Sequence, residues 1–400
     1  MIIKLRFLFL FIIPILLFIK CSESPLSLIK KKENDNIYFP TFPKPNKKDI
    51  RKKKKVVKTF FKKELGGKRF NGQFLVAKNG QIIFEKYKGY ANYKQKDKIT
   101  KNTPLHLASI SKVATSIAIL RLFDQKKLYL DEDIRNFLPD IPYEGISIRM
   151  LLNHRSGIPY YGYFTYGLWP LNKTLTNQDI VLLLKKHNLP LNFNTNHHFA
   201  YCNTNFALLA LIIEKITNKR FPEAMKELIF EPLEMKNSFI LDYNQNRDSI
   251  SQSYNPGMSV YPFDYLDAIY GDKNMYSTAR DLLNMDKGTY CDTFLSKNAR
   301  DQMLKGYSYE SRGTKNYGLG IRMVEEKNKT TYFYHTGWWH GNTTCYSTLR
   351  EDTACVIALS NVFDKRVYRI NLLSPYFGNY PYERKYERAI TQAVSSLRVA

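Results

Sequence analysis

Strand-like patterns occur near both ends of this 400-residue chain and enclose a long helical region. After residue 70 the chain alternates apolar and polar residues on either side of Asn79-Gly80, a dipeptide that favours a tight hairpin turn. This pattern predicts antiparallel strands at 73–78 and 81–87. Three more alternating segments near the other end predict strands at 329–337, 342–351 and 353–361.

The chain after these strands predicts a helix, because Ile390, Ala393, Val394 and Leu397 fall on one helical face. Between the two groups of strands, residues 122–303 have helical and loop character. The expected fold class is therefore α/β, an antiparallel sheet flanked by helices and built from both chain ends. The mostly helical region would be an inserted subdomain, and a site would lie in the crevice between it and the sheet.

Composition and charge narrow the possible functions. With 44% hydrophobic and 14% aromatic residues the chain can bury a large core, which excludes a disordered protein. The first 70 residues contain 19 Lys and Arg against 5 Asp and Glu, so they carry +14 of the net charge of +25. We find no nucleic-acid module and expect no nucleic-acid partner. Attraction to an anionic lipid or cell-wall surface is the expected use of this charge.

The N-terminus has the pattern of a targeting segment. Lys4 and Arg6 precede a 13-residue apolar run at 7–19, which suits a signal peptide and is short for a spanning helix of roughly 20 residues. We predict a signal peptide at 1–21 and an exported protein at the periplasm or cell surface. Cys21 resembles the acylated cysteine of a bacterial lipoprotein, with an uncleaved anchor or ordinary secretion as the alternatives.

Two segments follow the predicted signal peptide. Residues 22–48 are polar and interrupted by prolines, as in a tether. Residues 49–65 predict a basic amphipathic helix, which would lie on a membrane or dock on the catalytic domain, and Gly66-Gly67 ends it. We expect the domain itself to span 49–400.

A serine and a lysine three residues apart, Ser109 and Lys112, begin an otherwise apolar helix in the stretch LHLASISKVATSIAIL. Residues at i and i+3 share a helical face, so the two side chains would project together. A lysine that enters a buried helix is difficult to explain as a solvated charge. Burial favours the neutral amine, which can accept a proton from serine.

Three motifs, in order, make the chain resemble the serine hydrolases related to class C β-lactamases and to D,D-peptidases of the penicillin-binding proteins. Ser109-Ile110-Ser111-Lys112 resembles their nucleophile motif, Tyr201-Cys202-Asn203 their Tyr-x-Asn motif, and His335-Thr336-Gly337 a histidine form of their Lys-Thr-Gly strand. Supporting matches extend the resemblance over about 70–400. It implies a β-lactamase/transpeptidase-like fold.

The resemblance also implies roles for these residues. Ser109 would be the nucleophile, Lys112 the general base, and Tyr201 a general acid and base that shares the proton. Asn203 would bind Lys112 or substrate. Substrate would also contact His335, Thr336, Gly337 and Trp338, with the backbone N–H groups of Ser109 and Trp338 forming an oxyanion hole. A neutral histidine in place of lysine weakens the case for a substrate carboxylate.

The remaining histidines and cysteines suggest no other chemistry. His154 is expected to brace a loop, and His197-His198 lack partners at metal-ligand spacing, so we predict no metal and no cofactor. Cys202 is expected to pack in the core. Apart from Cys21, four cysteines allow three complete pairings that the sequence does not rank.

The expected function is an exported serine hydrolase that forms an acyl-enzyme on an amide or ester bond. Its substrate would be a small acyl compound or a peptidoglycan peptide, and its activity that of an esterase, a D,D-peptidase or a β-lactamase-like enzyme. The alternative is a non-catalytic, surface-tethered binding protein that retains the fold. The intact Ser109, Lys112 and Tyr201 argue against that alternative.

Overall fold

A computed structural model describes residues 38–67 and 70–381. Its strands are β1 (Gly72–Lys78), β2 (Gln81–Lys88), β3 (Tyr90–Asn92), β4 (Asp97–Lys98), β5 (Leu105–His106), β6 (Phe239–Ile240), β7 (Met275–Ser277), β8 (Lys315–Tyr317), β9 (Arg322–Val324), β10 (Tyr332–Trp339), β11 (Asn342–Leu349) and β12 (Ala354–Ser360). Its α-helices are α1 (Lys47–Phe60), α2 (Ser111–Asp124), α3 (Ile148–Leu152), α4 (Tyr161–Leu168), α5 (Asn177–His187), α6 (Asn203–Thr217), α7 (Phe221–Met225), α8 (Ala279–Gly288) and α9 (Lys297–Met303).

One seven-stranded antiparallel sheet joins the two ends of the domain, in the order β2-β1-β12-β11-β10-β9-β8. The expected sheet built from both chain ends is confirmed. Its first hairpin turns at Asn79 (φ +48°) and Gly80 (φ +69°), which is the left-handed backbone that a tight hairpin requires. The predicted strand bounds differ from the observed ones by a few residues at most.

The helical region covers one face of this sheet and positions the candidate site. Helix α2 is buried from Ser111 to Leu120, which explains its nearly all-apolar sequence. On β1 and β12, alternate residues such as Leu75 and Ile357 face this larger core. The turn that precedes α2 contacts β10 and β11, so the N-terminal end of α2 lies between the sheet and the helical region.

The opposite face of the sheet carries α1 and a long 3-10 segment, Lys365–Tyr376. Residues of β1 and β12 with the other parity, Phe74 and Val356, form a second core with Val57 and Phe61. Phe61 begins a π-helical turn, Phe61–Leu65, that continues α1. Of the two alternatives for the basic helix, the structure has the docked one.

Several predicted segments lie outside the described residues. They are the signal peptide with Cys21, most of the tether, and the final helix with Ile390, Ala393, Val394 and Leu397. Residues 38–46 are described and lie against the domain, where the rings of Tyr38 and Phe294 are 5.6 Å apart. No helix in 38–67 or 70–381 is long and apolar enough to cross a bilayer.

The docking of α1 generates a stability prediction. Phe61 is 6% exposed and its ring lies 5.4 to 5.8 Å from those of Phe70, Phe74 and Phe84. We expect Phe61→Ala to lower the free energy of unfolding by about 3 to 5 kcal/mol, measured by chemical denaturation. The exposed Lys58→Ala should change it by no more than about 0.5 kcal/mol. Equal effects of the two substitutions would contradict the docking.

Candidate functional site

Ser109 lies in one turn of 3-10 helix, Ala108–Ile110, that leads directly into α2. Ala108 has φ +49°, a left-handed backbone that residues with a Cβ adopt at a cost. Its N–H donates to Nδ1 of the buried His106 at 2.9 Å, and Nε2 of His106 donates to Oδ1 of Asn274 at 2.9 Å. These bonds fix the neutral tautomer of His106 and hold the strained turn in place. Sequence analysis did not single out His106, although it is a lone polar ring in an apolar stretch three residues before Ser109.

Lys112 projects from the first turn of α2 and is fully buried. Its Nζ donates to Oγ of Ser109 at 3.1 Å and to the backbone carbonyl of Asp272 at 2.7 Å. The rings of Tyr201 and Phe206 lie beside the amine, with centroids 5.1 and 5.7 Å away. The structure therefore brings together the serine and lysine that were expected to share one helical face.

Tyr201 and Asn203 flank the start of α6, of which Asn203 is the first residue. The Tyr201 hydroxyl is buried and has no hydrogen-bond partner among the described residues, and neither does Oδ1 of Asn203. A buried polar group without a partner costs about 1 to 3 kcal/mol, so two such groups two residues apart in the chain indicate a site prepared for a ligand. The hydrogen bonds of Lys112 run to other groups, which favours the substrate-binding alternative for Asn203.

His335 is buried on β10 and its imidazole is neutral. Nδ1 donates to the carbonyl of Thr336 at 2.8 Å, so Nε2 is unprotonated and accepts from the Tyr317 hydroxyl at 3.1 Å. Burial, together with the positive charge of Arg322, holds the pKa of His335 well below its usual range. The expectation that His335 supplies no positive charge agrees with this geometry.

The rest of the predicted strand motif lies next to the serine. A Cβ on Gly337 would come within 2.4 Å of the Leu107 carbonyl and 2.2 Å of Oγ1 of Thr344, so a side chain there would push β10 away from the turn of Ser109. Thr336 is partly buried, while the Trp338 side chain is 63% exposed. Because β9 pairs with β10 only at residues 332–334, the outer edge of β10 beyond Tyr334 can face the site.

Arg322 supplies a cation that sequence analysis did not identify. Its guanidinium carbon lies 4.7 Å from the ring centroid of Tyr201 and 5.8 Å from that of Tyr317. Its Nε is buried and without a hydrogen-bond partner in the described part of the chain. The available sequence signal was the stretch YGLGIRM at 317–323, one of the supporting matches to the family. In the structure Arg322 pairs with Tyr317 across β8 and β9.

A second buried lysine stands behind Lys112. Lys273 donates to the Tyr161 hydroxyl at 2.8 Å, and that hydroxyl donates to Oδ2 of Asp272 at 2.7 Å. Lys273 Nζ is also 3.6 Å from Oδ2 of Asp272 and 4.7 Å from the ring centroid of Trp339. Asp272 therefore contacts both lysines: its backbone carbonyl accepts a hydrogen bond from Lys112, and its carboxylate lies near the amine of Lys273.

His154 and Cys202 have the supporting positions expected of them. The Cys202 N–H donates to Nδ1 of His154 at 3.2 Å, and the ring of His154 lies 4.4 Å from that of Tyr201. His154 thus braces the loop that carries Tyr201. Burial raises the pKa of the Cys202 thiol, which disfavours a thiolate. The four cysteines of the described residues, Cys202, Cys291, Cys345 and Cys355, are free thiols.

A polar cavity of about 380 Å³ lies beside the site and shares His106 and Trp339 with it. In its wall Asp267 accepts hydrogen bonds from Nε1 of Trp339 at 2.6 Å and from Nε2 of His340 at 3.0 Å. Donor atoms of Asp264, Asp267 and His340 approach within 4.8 Å of one another, a spacing that a metal ion would accept. The mutual hydrogen bonds account for this cluster, and the absence of a metal stays a prediction.

Comparison with known proteins places the chain in a family. The Beta-lactamase family model matches residues 57–372. Penicillin-binding protein 4* of Bacillus subtilis is 31% identical over 342 residues, which cover 80% of this chain and 74% of that protein. The teichoic acid D-alanine hydrolase of Staphylococcus aureus is 26% identical over 225 residues, 55% of this chain and 54% of that protein.

Solved structures agree on the architecture. The penicillin-binding protein from Bacillus halodurans superposes with a TM-score of 0.68 at 22% identity, covering 78% of this chain and 95% of that one. At this identity the likeness concerns the fold. The fold class and the family resemblance drawn from the three motifs are both confirmed.

The hydrogen bonds of His106 generate a pH prediction. Burial lowers the pKa of His106 to about 4, whereas an unfolded chain has a histidine pKa of about 6.5. Between these two pH values the imidazole is protonated in the unfolded chain but not in the folded protein. Lowering the pH through this range therefore lowers the free energy of unfolding. In His106→Gln this loss disappears. We expect denaturation curves at pH 7 and pH 4 to show wild type losing about 3 kcal/mol more than the variant. Equal losses would contradict a neutral buried His106.

Proposed function

Because the chain belongs to the Beta-lactamase family, a family of serine hydrolases, we propose that it cleaves an amide or ester bond through an acyl-enzyme on Ser109. The observation that carries this proposal is the 3.1 Å contact from Lys112 Nζ to Ser109 Oγ in a fully buried setting. A neutral amine at that distance can take the hydroxyl proton as the oxygen attacks.

The proposed reaction has two halves. Ser109 Oγ forms a bond to the substrate carbonyl carbon while its proton passes to Lys112, and the carbonyl electrons move onto oxygen. Backbone N–H groups of Ser109 and Trp338 stabilise this oxyanion. As the carbonyl re-forms and the bond to the leaving group breaks, the hydroxyl of Tyr201, which has no partner among the described residues, gives its proton to that group and takes the proton held by Lys112. Water then attacks the acyl-enzyme by the same steps in reverse, which releases the acyl group and returns the proton to Ser109. Neither half requires a metal or a cofactor.

Arg322 supports a substrate with a carboxylate close to the scissile bond. Its guanidinium and the Lys112 amine lie within about 5 Å of the same ring, that of Tyr201, and Nε of Arg322 has no partner in the described chain. Arginine binds carboxylates through paired N–H donors. A peptide ending in a free D-amino acid, as in peptidoglycan, is therefore the favoured substrate, with Asn203, Thr336 and Gly337 along its path.

A D-alanyl ester is the second candidate substrate. One relative is named a teichoic acid D-alanine hydrolase, and the unpartnered Oδ1 of Asn203 is an acceptor suited to an ammonium group. Such an ester would not need Arg322, which separates the two candidates experimentally.

For location, we propose an exported protein at the bacterial surface or periplasm, with residues 1–21 as signal peptide and Cys21 as the lipid anchor. The relatives named for penicillin binding and teichoic acid support a place at the cell wall. The basic N-terminal segment adds attraction to the membrane. The tether bounds of 22–48 and the domain bounds of 49–400, with the insertion at 122–303, belong to the same proposal; within that tether, residues 38–46 lie against the domain and Lys47 begins α1.

Labelling of Ser109 tests the mechanism. The chain without residues 1–21 should form a covalent adduct on Ser109 with a serine-reactive phosphonate, located by peptide mass spectrometry. Lys112→Ala should slow labelling by about 10² to 10⁴-fold, because the hydroxyl loses its proton acceptor. Thermal unfolding of both proteins checks that they are folded. An unlabelled wild type, or labelling indifferent to Lys112, would favour the non-catalytic binding protein.

Replacement of Arg322 tests the substrate class. We expect Arg322→Ala to lower kcat/KM for a D-alanyl-D-alanine peptide by roughly 10 to 150-fold, since a hydrogen bond to a charged group contributes about 1.5 to 3 kcal/mol. The same peptide with its terminal carboxylate amidated should be cleaved equally by both proteins. A matched loss on the amidated peptide would show that Arg322 acts on the fold and not on the carboxylate.

A further inference from the structure

Helix α1 and the π-helical turn after it present a strongly basic surface, called the cationic face below. Nine lysine and arginine side chains are exposed on these 19 residues. They are Lys47, Lys48, Arg51, Lys52, Lys54, Lys55, Lys58, Lys62 and Lys63. The sequence predicted a basic helix, and the structure shows which of its charges face outward.

The charge of this face is not neutralised by the described protein. The two acids of the segment are otherwise engaged: Asp49 pairs with the half-buried Lys53 at 2.8 Å, and Glu64 pairs with Arg369 at 2.9 Å. Within 38–67 and 70–381, no ion pair involves any of the nine exposed cations. A concentration of unpaired positive charge along one helix favours an anionic partner.

The apolar side of the helix is already occupied. Val56, Val57, Phe61 and Leu65 are at most 7% exposed and belong to the core between α1 and the sheet. An amphipathic helix that inserts into a bilayer needs its apolar side free. Contact with a membrane in this fold must therefore be electrostatic, through the cationic face alone.

The sheet separates the cationic face from the candidate site. Val57 and Phe61 contact the side of the sheet that includes Phe74, whereas Ser109 lies with α2 on the side that includes Leu75. Because neighbouring residues of a strand point to opposite faces, the two surfaces are on opposite sides of one β layer. The cationic face therefore does not guide an anionic substrate polymer to Ser109. It can bind a partner on the side of the sheet opposite the candidate site.

We propose that the cationic face docks the domain on an anionic phospholipid surface and leaves the site directed away from the membrane. This inference rests on the proposed location and adds to it the contact surface, its purely electrostatic character and the resulting orientation. With a lipid anchor it would provide the second of the two signals that stable membrane attachment requires.

Vesicle binding tests the proposal with the chain from Ser22 onward, which retains every described residue. We expect it to sediment with vesicles of phosphatidylglycerol and phosphatidylcholine in equal parts, and not with phosphatidylcholine alone. Raising salt from about 0.1 M to about 1 M, where the Debye length falls from about 10 to about 3 Å, should release it. Binding that persists in high salt would overturn the electrostatic account.

Two matched variants locate the contact. Replacing Lys48, Lys52, Lys55 and Lys62 together with glutamine should weaken binding by at least about tenfold, since each basic residue near the surface contributes separately. Replacing Lys94, Lys96, Lys98 and Lys101, four exposed lysines of the β3–β4 hairpin and the turn after it, with glutamine removes equal charge elsewhere and should change binding little. Equal losses in the two variants would reduce the effect to net charge and overturn the proposal.

Further controls separate this inference from the proposed function. Phosphonate labelling of Ser109 in the helix variant reports folding and chemistry, and we expect it at the wild-type rate. A soluble polyglycerol phosphate polymer competes for the same lysines, so we expect it to displace the protein from vesicles only at phosphate concentrations well above that of the anionic lipid. Displacement at a phosphate concentration below that of the anionic lipid would identify a wall polymer as the partner in place of lipid. If the wild-type protein is labelled at Ser109 but does not bind vesicles, only the proposed membrane contact is refuted. If it binds vesicles but is not labelled, only the proposed catalytic function is refuted.

Discussion

Burial of a lysine amine beside a serine hydroxyl is the constraint on which the rest of this structure depends. An amine removed from water needs partners inside the protein, and Lys112 finds them in Ser109 and in the carbonyl of Asp272, 160 residues further along the chain. The aromatic rings of Tyr201 and Phe206 close the space around it. The hydrogen bonds and ring contacts of this amine therefore require α2, the inserted region with Asp272 and the loop with Tyr201 to be folded together.

Of the two cations near this amine, Lys273 is paired with the carboxylate of Asp272, whereas Arg322 has no ion pair among the described residues. Lys273 is buried behind Lys112, and Arg322 lies across the ring of Tyr201. The carboxylate of Asp272 is engaged by the hydroxyl of Tyr161 and so faces the second lysine, not the serine. Positive groups that are fixed in a site without water stabilise the negative charge of a transition state, because neither they nor solvent must reorient during the reaction. Because His335 is neutral, the anion-binding role in the proposed function belongs to Arg322.

The central sheet divides the molecule into two surfaces with different properties. Alternate residues of β1, such as Phe74 and Leu75, send one side chain to the core under α1 and the next to the core around α2. The same strand thereby holds a basic helix on one side and supports the candidate site on the other. The two surfaces can act on different partners because the sheet keeps them apart.

The sequence by itself determined the local features of this protein: the strands at both ends, the hairpin at Asn79-Gly80, the buried helix after Ser109 and the three motifs that indicate the family. These follow from residue type and short-range periodicity, which act over a few positions. Only the tertiary structure decided the docking of α1 and the contacts of His106, Asp272 and Arg322. Each of those residues contacts groups that are far away in the sequence. These contacts form only when the chain folds, so a local sequence pattern does not reveal them.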